Sequence, residues 1–168
     1  NCFAFNEVLP GGFRPKFGGV VEDAAVTTGI SGSLPHHLEY DFSGTVGYSH
    51  IEYTLSDTLN PSLGPASPTA FSPGAVSQVE RTVNLDFSKP VQTHWYGPLN
   101  LGFGVEWRRE TYHQRAGDAA SWQVGEFAFN NTNGLSQGFS IGSNGFPGYQ
   151  PQSAGHWSRH NWALYADG

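Results

Sequence analysis

The sequence predicts an all-β fold: an antiparallel meander of about five long strands joined by long loops. Three observations predict it. Several stretches alternate apolar and polar residues with a period of two, which belongs to strands and not to helices. No stretch carries a helical amphipathic period, and no internal repeat stands out. The chain is rich in glycine (22) and proline (11), and the prolines all fall between the alternating runs, where they punctuate the chain as turns and loops.

Taken in order, residues 1–22 hold Pro10-Gly11-Gly12, Pro15 and Gly18-Gly19 and read as an irregular N-terminal segment. A first strand over residues 23–34 places Ala24, Val26, Ile30 and Leu34 on one face. Pro35-His36-His37 form a tight turn into a second strand, residues 38–55. There Leu38, Tyr40, Phe42, Val46 and Tyr48 share a parity, whereas Ile51, Tyr53 and Leu55 lie on the other. One inserted residue swaps the faces of a strand, so a bulge is expected near His50-Ile51. Residues 56–78, with Pro61, Pro65, Pro68 and Pro73, read as a long loop. A third strand, 79–87, sets Val79, Val83, Leu85 and Phe87 against Glu80, Thr82, Asn84 and Asp86. After a turn over 88–98, a fourth strand runs over 99–113. It carries Leu99, Leu101, Phe103, Val105 and Trp107 on one face and Asn100, Gly102, Gly104 and Glu106 on the other. Residues 114–159 are the longest irregular stretch, and a fifth strand starts near His160 with Trp162, Leu164 and Ala166 on one face. The expected organisation is one partial β-barrel or β-sheet domain over residues 1–168.

Charged residues make up 13% of the chain, about half the usual share for a soluble domain, and aromatics 14%. The net charge of -6 and the lack of any Lys/Arg cluster exclude nucleic acid as a partner. Cys2 is the single cysteine, so no internal disulfide framework is possible; a lipid anchor there lacks a preceding apolar signal segment. No run of 18 apolar residues exists, which excludes a transmembrane helix but not a transmembrane strand. A first residue Asn1 in place of Met leads us to expect a processed product or the retained part of something longer.

Connections that alternate between short and long match the layout of outer-membrane barrels, whose strands need only ~9–11 residues to cross. In that arrangement Leu38, Tyr40, Phe42, Val46, Val83, Leu85, Phe87, Leu101, Phe103, Val105 and Trp107 face lipid or a partner. Glu39, Asp41, Ser43, Thr45 and the acidic rows of the next two strands face a wet lumen. Carboxylates on one face of three neighbouring strands are costly in a dry sandwich core and cheap in a hydrated channel. A soluble alternative turns that face to bulk water. Trp95 and Tyr96 at a turn, with Trp107 and Tyr48 toward the other strand ends, stand where aromatic girdles belong. Arg81 breaks the apolar row near the outer end, where an arginine can reach the headgroups.

Several ordered blocks then resemble one family. Asn100-Leu101-Gly102-Phe103-Gly104-Val105-Glu106-Trp107-Arg108-Arg109-Glu110-Thr111-Tyr112, followed by Arg115-Ala116-Gly117-Asp118-Ala119-Ala120-Ser121-Trp122, resembles the barrel of TonB-dependent outer-membrane receptors. So do Gln137-Gly138-Phe139-Ser140-Ile141-Gly142-Ser143-Asn144-Gly145-Phe146-Pro147-Gly148-Tyr149, and Ser158-Arg159 with Trp162-Ala163-Leu164-Tyr165-Ala166-Asp167. Asn60-Pro61-Ser62-Leu63-Gly64-Pro65-Ala66-Ser67-Pro68-Thr69-Ala70-Phe71 is similar to loops of that family. The likeness runs from about Gly12 to the C-terminus. It implies a plugged barrel of about 22 strands that imports iron chelates, cobalamin or saccharides with energy from an inner-membrane partner. This chain offers about five strands, no plug and no energy-coupling segment, and five strands cannot close a barrel around a channel.

No catalytic constellation is expected, and no cofactor or metal. His156 and His160 are four apart, a spacing that joins two ligands only on a helix, and His36-His37 point apart in a turn. Glu106 and Glu110 stand roughly 13 Å apart on a strand, too far for a glycosidase pair, with Arg108 between them. Ser136 and Ser143 lie in glycine-rich loops with no base assignable to them. Trp122, Phe127, Phe139, Phe146, Tyr149 and Trp157 are the candidates for touching a ligand or partner, set against the plainer role of packing the loop on itself.

Three functions are therefore expected in descending order. The first is a barrel segment of a nutrient-uptake receptor in the outer membrane of a Gram-negative-type bacterium, not transporting alone. The second is a non-catalytic accessory subunit of a larger membrane complex, on its periplasmic side, made from a retained barrel piece. The third is a soluble carbohydrate-binding β-sandwich. Partners are the rest of a barrel, or other subunits that cover the apolar face and sheet edges, with lipid.

Overall fold

The computed structural model describes residues 3–94, 97–132 and 135–168, the side chains of 130–137 excepted. Cys2, Trp95, Tyr96 and the side chain of Ser136, each singled out above, lie outside the described residues. Strands hold 58% of the chain. They are β1 (Lys16–Leu34), β2 (Leu38–Ser56), β3 (Ala70–Val91), β4 (Leu99–Ala116), β5 (Asn130–Thr132), β6 (Leu135–Gln137) and β7 (Gly155–Asp167). One five-stranded antiparallel sheet has the order β1-β2-β3-β4-β7, a meander, and β5 pairs with β6 in a two-stranded antiparallel sheet. The all-β fold is as the alternation predicts.

The strands are longer than the sequence pattern suggested: 19 residues each in β1 and β2, 22 in β3 and 18 in β4. β1 begins at Lys16, inside the segment expected to be irregular, and β3 begins at Ala70, inside the expected loop. Both extensions carry glycine or proline, the residues that argued against a strand there. Pro73 costs β3 one donor, yet its carbonyl accepts the Tyr149 N–H at 2.8 Å. Gly74, at φ +126°, allows the close approach of the Arg115 carbonyl.

The chain divides into two compact units. Unit 1 is Asn1–Glu22, His50–Ser77 and His113–His156; unit 2 is Asp23–Ser49, Gln78–Tyr112 and Trp157–Gly168.

Unit 1 holds nearly all of the buried side chains. Phe3, Leu55, Leu59, Phe71 and Ala75 are its apolar core, with Pro61 and Pro73. Asn60, fully buried, organises the polar part. Its amide nitrogen donates to the Ala120 carbonyl at 2.9 Å and to the Gln123 carbonyl at 3.0 Å. Its side-chain oxygen accepts from the Ser62 hydroxyl at 2.7 Å and the Ser62 N–H at 3.2 Å. Asp118 caps the short helix α1 (Ala119–Trp122) through the Ser121 N–H at 2.8 Å, and its other oxygen accepts the Ser72 N–H at 2.7 Å. Because these buried groups are satisfied, the long connections 57–69 and 117–154 pack as a folded body. Close backbone passage requires glycine at two points: a Cβ on Gly125 would collide with the Ser62 carbonyl, and one on Gly148 with the Ser121 hydroxyl.

The phase change in β2 has a different cause from the bulge expected. In unit 2 the β1–β2 neighbours are Thr27 with Thr45, Gly29 with Ser43 and Gly32 with Tyr40. In unit 1 Gly18 lies against Thr54. The two residue numbers of each pair have the same total, so the register is unbroken and no residue is inserted. The surroundings change instead. Tyr53 and Leu55 have the parity that is polar in unit 2, but in unit 1 Leu55 is 1% exposed. Tyr53 there stacks on Phe17 at 5.5 Å and meets Phe146 and Tyr149.

Replacing Asn60 with Asp keeps the shape and turns two donors into a carboxylate aimed at two carbonyls. We expect N60D to lower stability by about 3 kcal/mol, since each stranded buried group costs ~1–3 kcal/mol. Urea unfolding followed by Trp122 fluorescence measures it, with the exposed Asn100→Asp as the near-neutral control.

Candidate functional site: two faces of an open sheet

Unit 2 is a single layer of five strands. Among its described residues only Thr82 falls below 9% exposure, because a lone sheet has no second layer to bury a face against. The site is therefore the pair of faces that this layer presents.

Side-chain contacts identify the polar face. Thr27 and Thr45 hydroxyls share a hydrogen bond at 2.9 Å, and Ser88 donates to Glu39 at 3.4 Å. Arg108 donates from Nη2 to Glu106 at 3.1 Å and lies 3.8 Å from Glu80. Arg159 pairs with Glu110, which also accepts from Asn161 at 3.5 Å, and the Tyr165 hydroxyl donates to Asp86 at 3.0 Å. The parities so fixed place every carboxylate of unit 2 on this face: Asp23, Glu39, Asp41, Glu80, Asp86, Glu106, Glu110 and Asp167. Glu106 and Glu110 are each tied to a guanidinium rather than to one another. An open recess of ≈ 460 Å³ is bordered on this face by Ser31, Glu39, Asp41, Asp86, Ser88 and Tyr165.

The opposite face is apolar and uncovered by anything in the unit. Phe42 is 46% exposed, Phe103 42%, Trp162 72% and Leu164 82%. Leu38, Tyr40, Val46, Val83, Leu85, Phe87, Leu101, Val105 and Trp107 share the parity of Phe42 and Phe103 on their strands. Phe87 stacks on Phe103 at 5.3 Å, and Trp107 lies 6.1 Å from His160. Tyr40 lays its ring 3.1 Å from where a Cβ of Gly32 would be, so that glycine makes room for an aromatic on β2.

The six aromatic loop candidates separate. In unit 1, Phe127 and Phe139 both pack edge-on against Phe3, and Phe139 also meets Phe5. Phe146 and Tyr149 pack on each other and on Tyr53. Trp122, half-buried, donates its indole N–H to the Gly117 carbonyl at 3.1 Å. In unit 2, Trp157 is 53% exposed beside Tyr112, ring centres 6.0 Å apart, on the polar face. Because β7 starts at Gly155, Trp157 and Arg159 are strand residues and not loop residues. His156 and His160 are on the same strand, roughly 13 Å apart. Among the described residues no group of three or more His, Cys, Asp or Glu is arranged to hold a metal ion. The sequence reading gave Arg109, Arg159 and Tyr165 no part in these faces; extending the two-residue alternation back through β7 finds Arg159, and Tyr165 already falls on the parity opposite Leu164.

Comparison of the chain with protein-family models, curated proteins and solved structures gives no match.

Gly104 tests the polar face. A Cβ there would collide with Asp86 Oδ1 and the Tyr165 ring and sit 2.9 Å from the Leu85 carbonyl. At Gly102, on the same face, a Cβ would meet nothing within 4 Å. Gly104→Ala is expected to destabilise by about 1–3 kcal/mol through overpacking, and Gly102→Ala to change stability by less than about 1 kcal/mol. Denaturant midpoints of the two variants, measured side by side, check this.

Proposed function

We propose that this chain is a wall segment of an outer-membrane β-barrel of the TonB-dependent receptor type. Its apolar face meets lipid and its polar face meets a water-filled lumen. The observation that carries the reading is that unit 2 is one layer with all its carboxylates on one face and exposed, mainly apolar rows on the other. Such a sheet is a poor solution in water, where exposed apolar rows associate, and a good one at a lipid boundary. The meander order supports it, as does the alternation of short connections, 35–37 and 92–98, with long ones, 57–69 and 117–154. Each of β1 to β4 exceeds the length needed to cross a bilayer.

In this reading the chain is non-catalytic and does not transport alone, because five strands do not close a barrel. The outer strands β1 and β7 are continued by the remaining strands of a receptor in the outer membrane of a Gram-negative-type bacterium. The same uncovered face and open edges favour a second reading, an accessory subunit whose apolar face is covered by other proteins of a membrane complex. A soluble carbohydrate-binding sandwich has less support, since unit 2 contains one layer and no second sheet opposite it.

Site-directed spin labels at Phe42, Val46 and Phe103, and at Ser43, Thr45 and Gly102, separate these readings in membranes carrying the protein. The expected result alternates: the first set is accessible to oxygen dissolved in lipid, the second to a water-soluble nickel chelate. A first set shielded from both reagents favours the accessory subunit. A first set open to the nickel chelate overturns the membrane placement.

A further inference from the structure

The polar face accounts for two of the five lysines and arginines of unit 2, Arg108 and Arg159, each beside a carboxylate. The other three, Arg81, Lys89 and Arg109, have the apolar parity. On β3 and β4, Phe87 faces Phe103 and Asp86 adjoins Gly104, which fixes the register. Carried along the strands, that register sets Arg81 directly across from Arg109. On β4 and β7, Glu110 with Arg159 and Tyr112 with Trp157 likewise set Arg109 across from His160, and Trp107 across from Trp162.

Two arginines as direct cross-strand neighbours, with Cβ atoms about 4.5–5.5 Å apart, repel one another. A carboxylate nearby would relieve them, but the apolar face of unit 2 carries none. Neither guanidinium makes an ion pair among the described residues, and Arg109 Nε is buried without a hydrogen-bond partner. Next to this basic row, one step toward the apolar band, stand Trp107 and Trp162. Beyond them Leu85, Val105 and Leu164 continue the band, and Lys89 lies eight positions from Arg81 along β3. Eight residues of strand span about 26 Å, which at a barrel strand's tilt of ~40° is about 20 Å of height, comparable with the ~25 Å apolar band of an outer-membrane barrel. Cations at both borders of an apolar band, with aromatics just inside one of them, are the pattern of side chains that reach lipid headgroups.

We infer that Arg81 and Arg109, with His160 at the end of the row, form a binding site for the phosphate of an anionic membrane lipid, whose acyl chains lie along Trp107 and Trp162. The inference rests on the lipid-facing placement proposed above. Planar guanidinium groups bond two phosphate oxygens at once, and one shared anion removes the repulsion between the pair.

Trp107 and Trp162 supply the readout. The protein is reconstituted into phosphatidylcholine vesicles in which a fixed fraction of lipid carries brominated acyl chains, on either phosphatidylglycerol or phosphatidylcholine. Bromine quenches tryptophan on contact, so relative quenching gives relative affinity. We expect brominated phosphatidylglycerol to be preferred by the wild type, and the preference to fall about fivefold for each arginine removed. It should therefore be lost in R81Q/R109Q, kept in R81K/R109K and unchanged in R14Q. Equal quenching by both lipids, or a preference that survives R81Q/R109Q, overturns this inference and leaves the lipid-facing placement standing. Abolition of the preference by inorganic phosphate at physiological salt assigns the site to a free anion and overturns the lipid assignment. An absence of quenching by either lipid overturns the placement and this inference together.

Discussion

A β-sheet has two faces, and unit 2 provides only one layer between them. Everything else about this half of the chain follows from that constraint. Apolar side chains gain about 25 cal/mol for each Å² taken out of water, and here Phe42, Val46, Phe103, Trp162 and Leu164 keep much of that gain unrealised. Carboxylates carry the opposite preference, since a charge withdrawn from water without a partner costs several kcal/mol. A strand separates the two demands automatically, because neighbouring side chains point to opposite faces. Within unit 2 no carboxylate stands among the apolar rows.

Unit 1 solves the opposite problem. Its long connections contain few large aliphatic residues, yet they pack tightly because their polar groups are paired with one another. Asn60 joins two segments through the carbonyls of Ala120 and Gln123 and the hydroxyls of Ser62 and Ser67. Asp118 joins α1 to β3. Glycines at 117, 125 and 148 let backbone approach backbone or a hydroxyl where any Cβ would collide. Aromatic rings then fill the remaining space, Phe3 against Phe127 and Phe139 in one cluster and Tyr53 against Phe146 and Tyr149 in another. Rings that looked available for a ligand when read from the sequence are here largely spent on packing, with Trp157 the exception.

How far the strands were legible depended on whether their surroundings stayed constant. From Leu38 to Tyr48 and from Leu99 to Trp107 one face meets one environment throughout, so the alternation is clean and the strands lie where the pattern puts them. Beyond His50 the same β2 register continues, but the face that was polar in unit 2 receives Phe146 and Tyr149 in unit 1. The pattern inverts without any inserted residue, and hydrophobicity alone cannot distinguish that from a bulge. Pro73-Gly74 hid the start of β3 for a related reason. Its partner groups come from residues more than forty positions away, Arg115 and Tyr149, and a local pattern contains no trace of them.

The sequence by itself determined what period-two alternation can encode: an all-β meander, which residues share a face, and, within unit 2, the exclusion of carboxylates from one of them. Tertiary structure alone decided where the buried core sits and which guanidinium answers which carboxylate. It also set Arg81 beside Arg109. The physical reason is that face is a local property, fixed by the pleat of one strand, whereas burial and pairing depend on register between strands. That register is established by contacts such as Phe87 with Phe103 and Tyr165 with Asp86, far apart in the chain and invisible until the strands lie side by side.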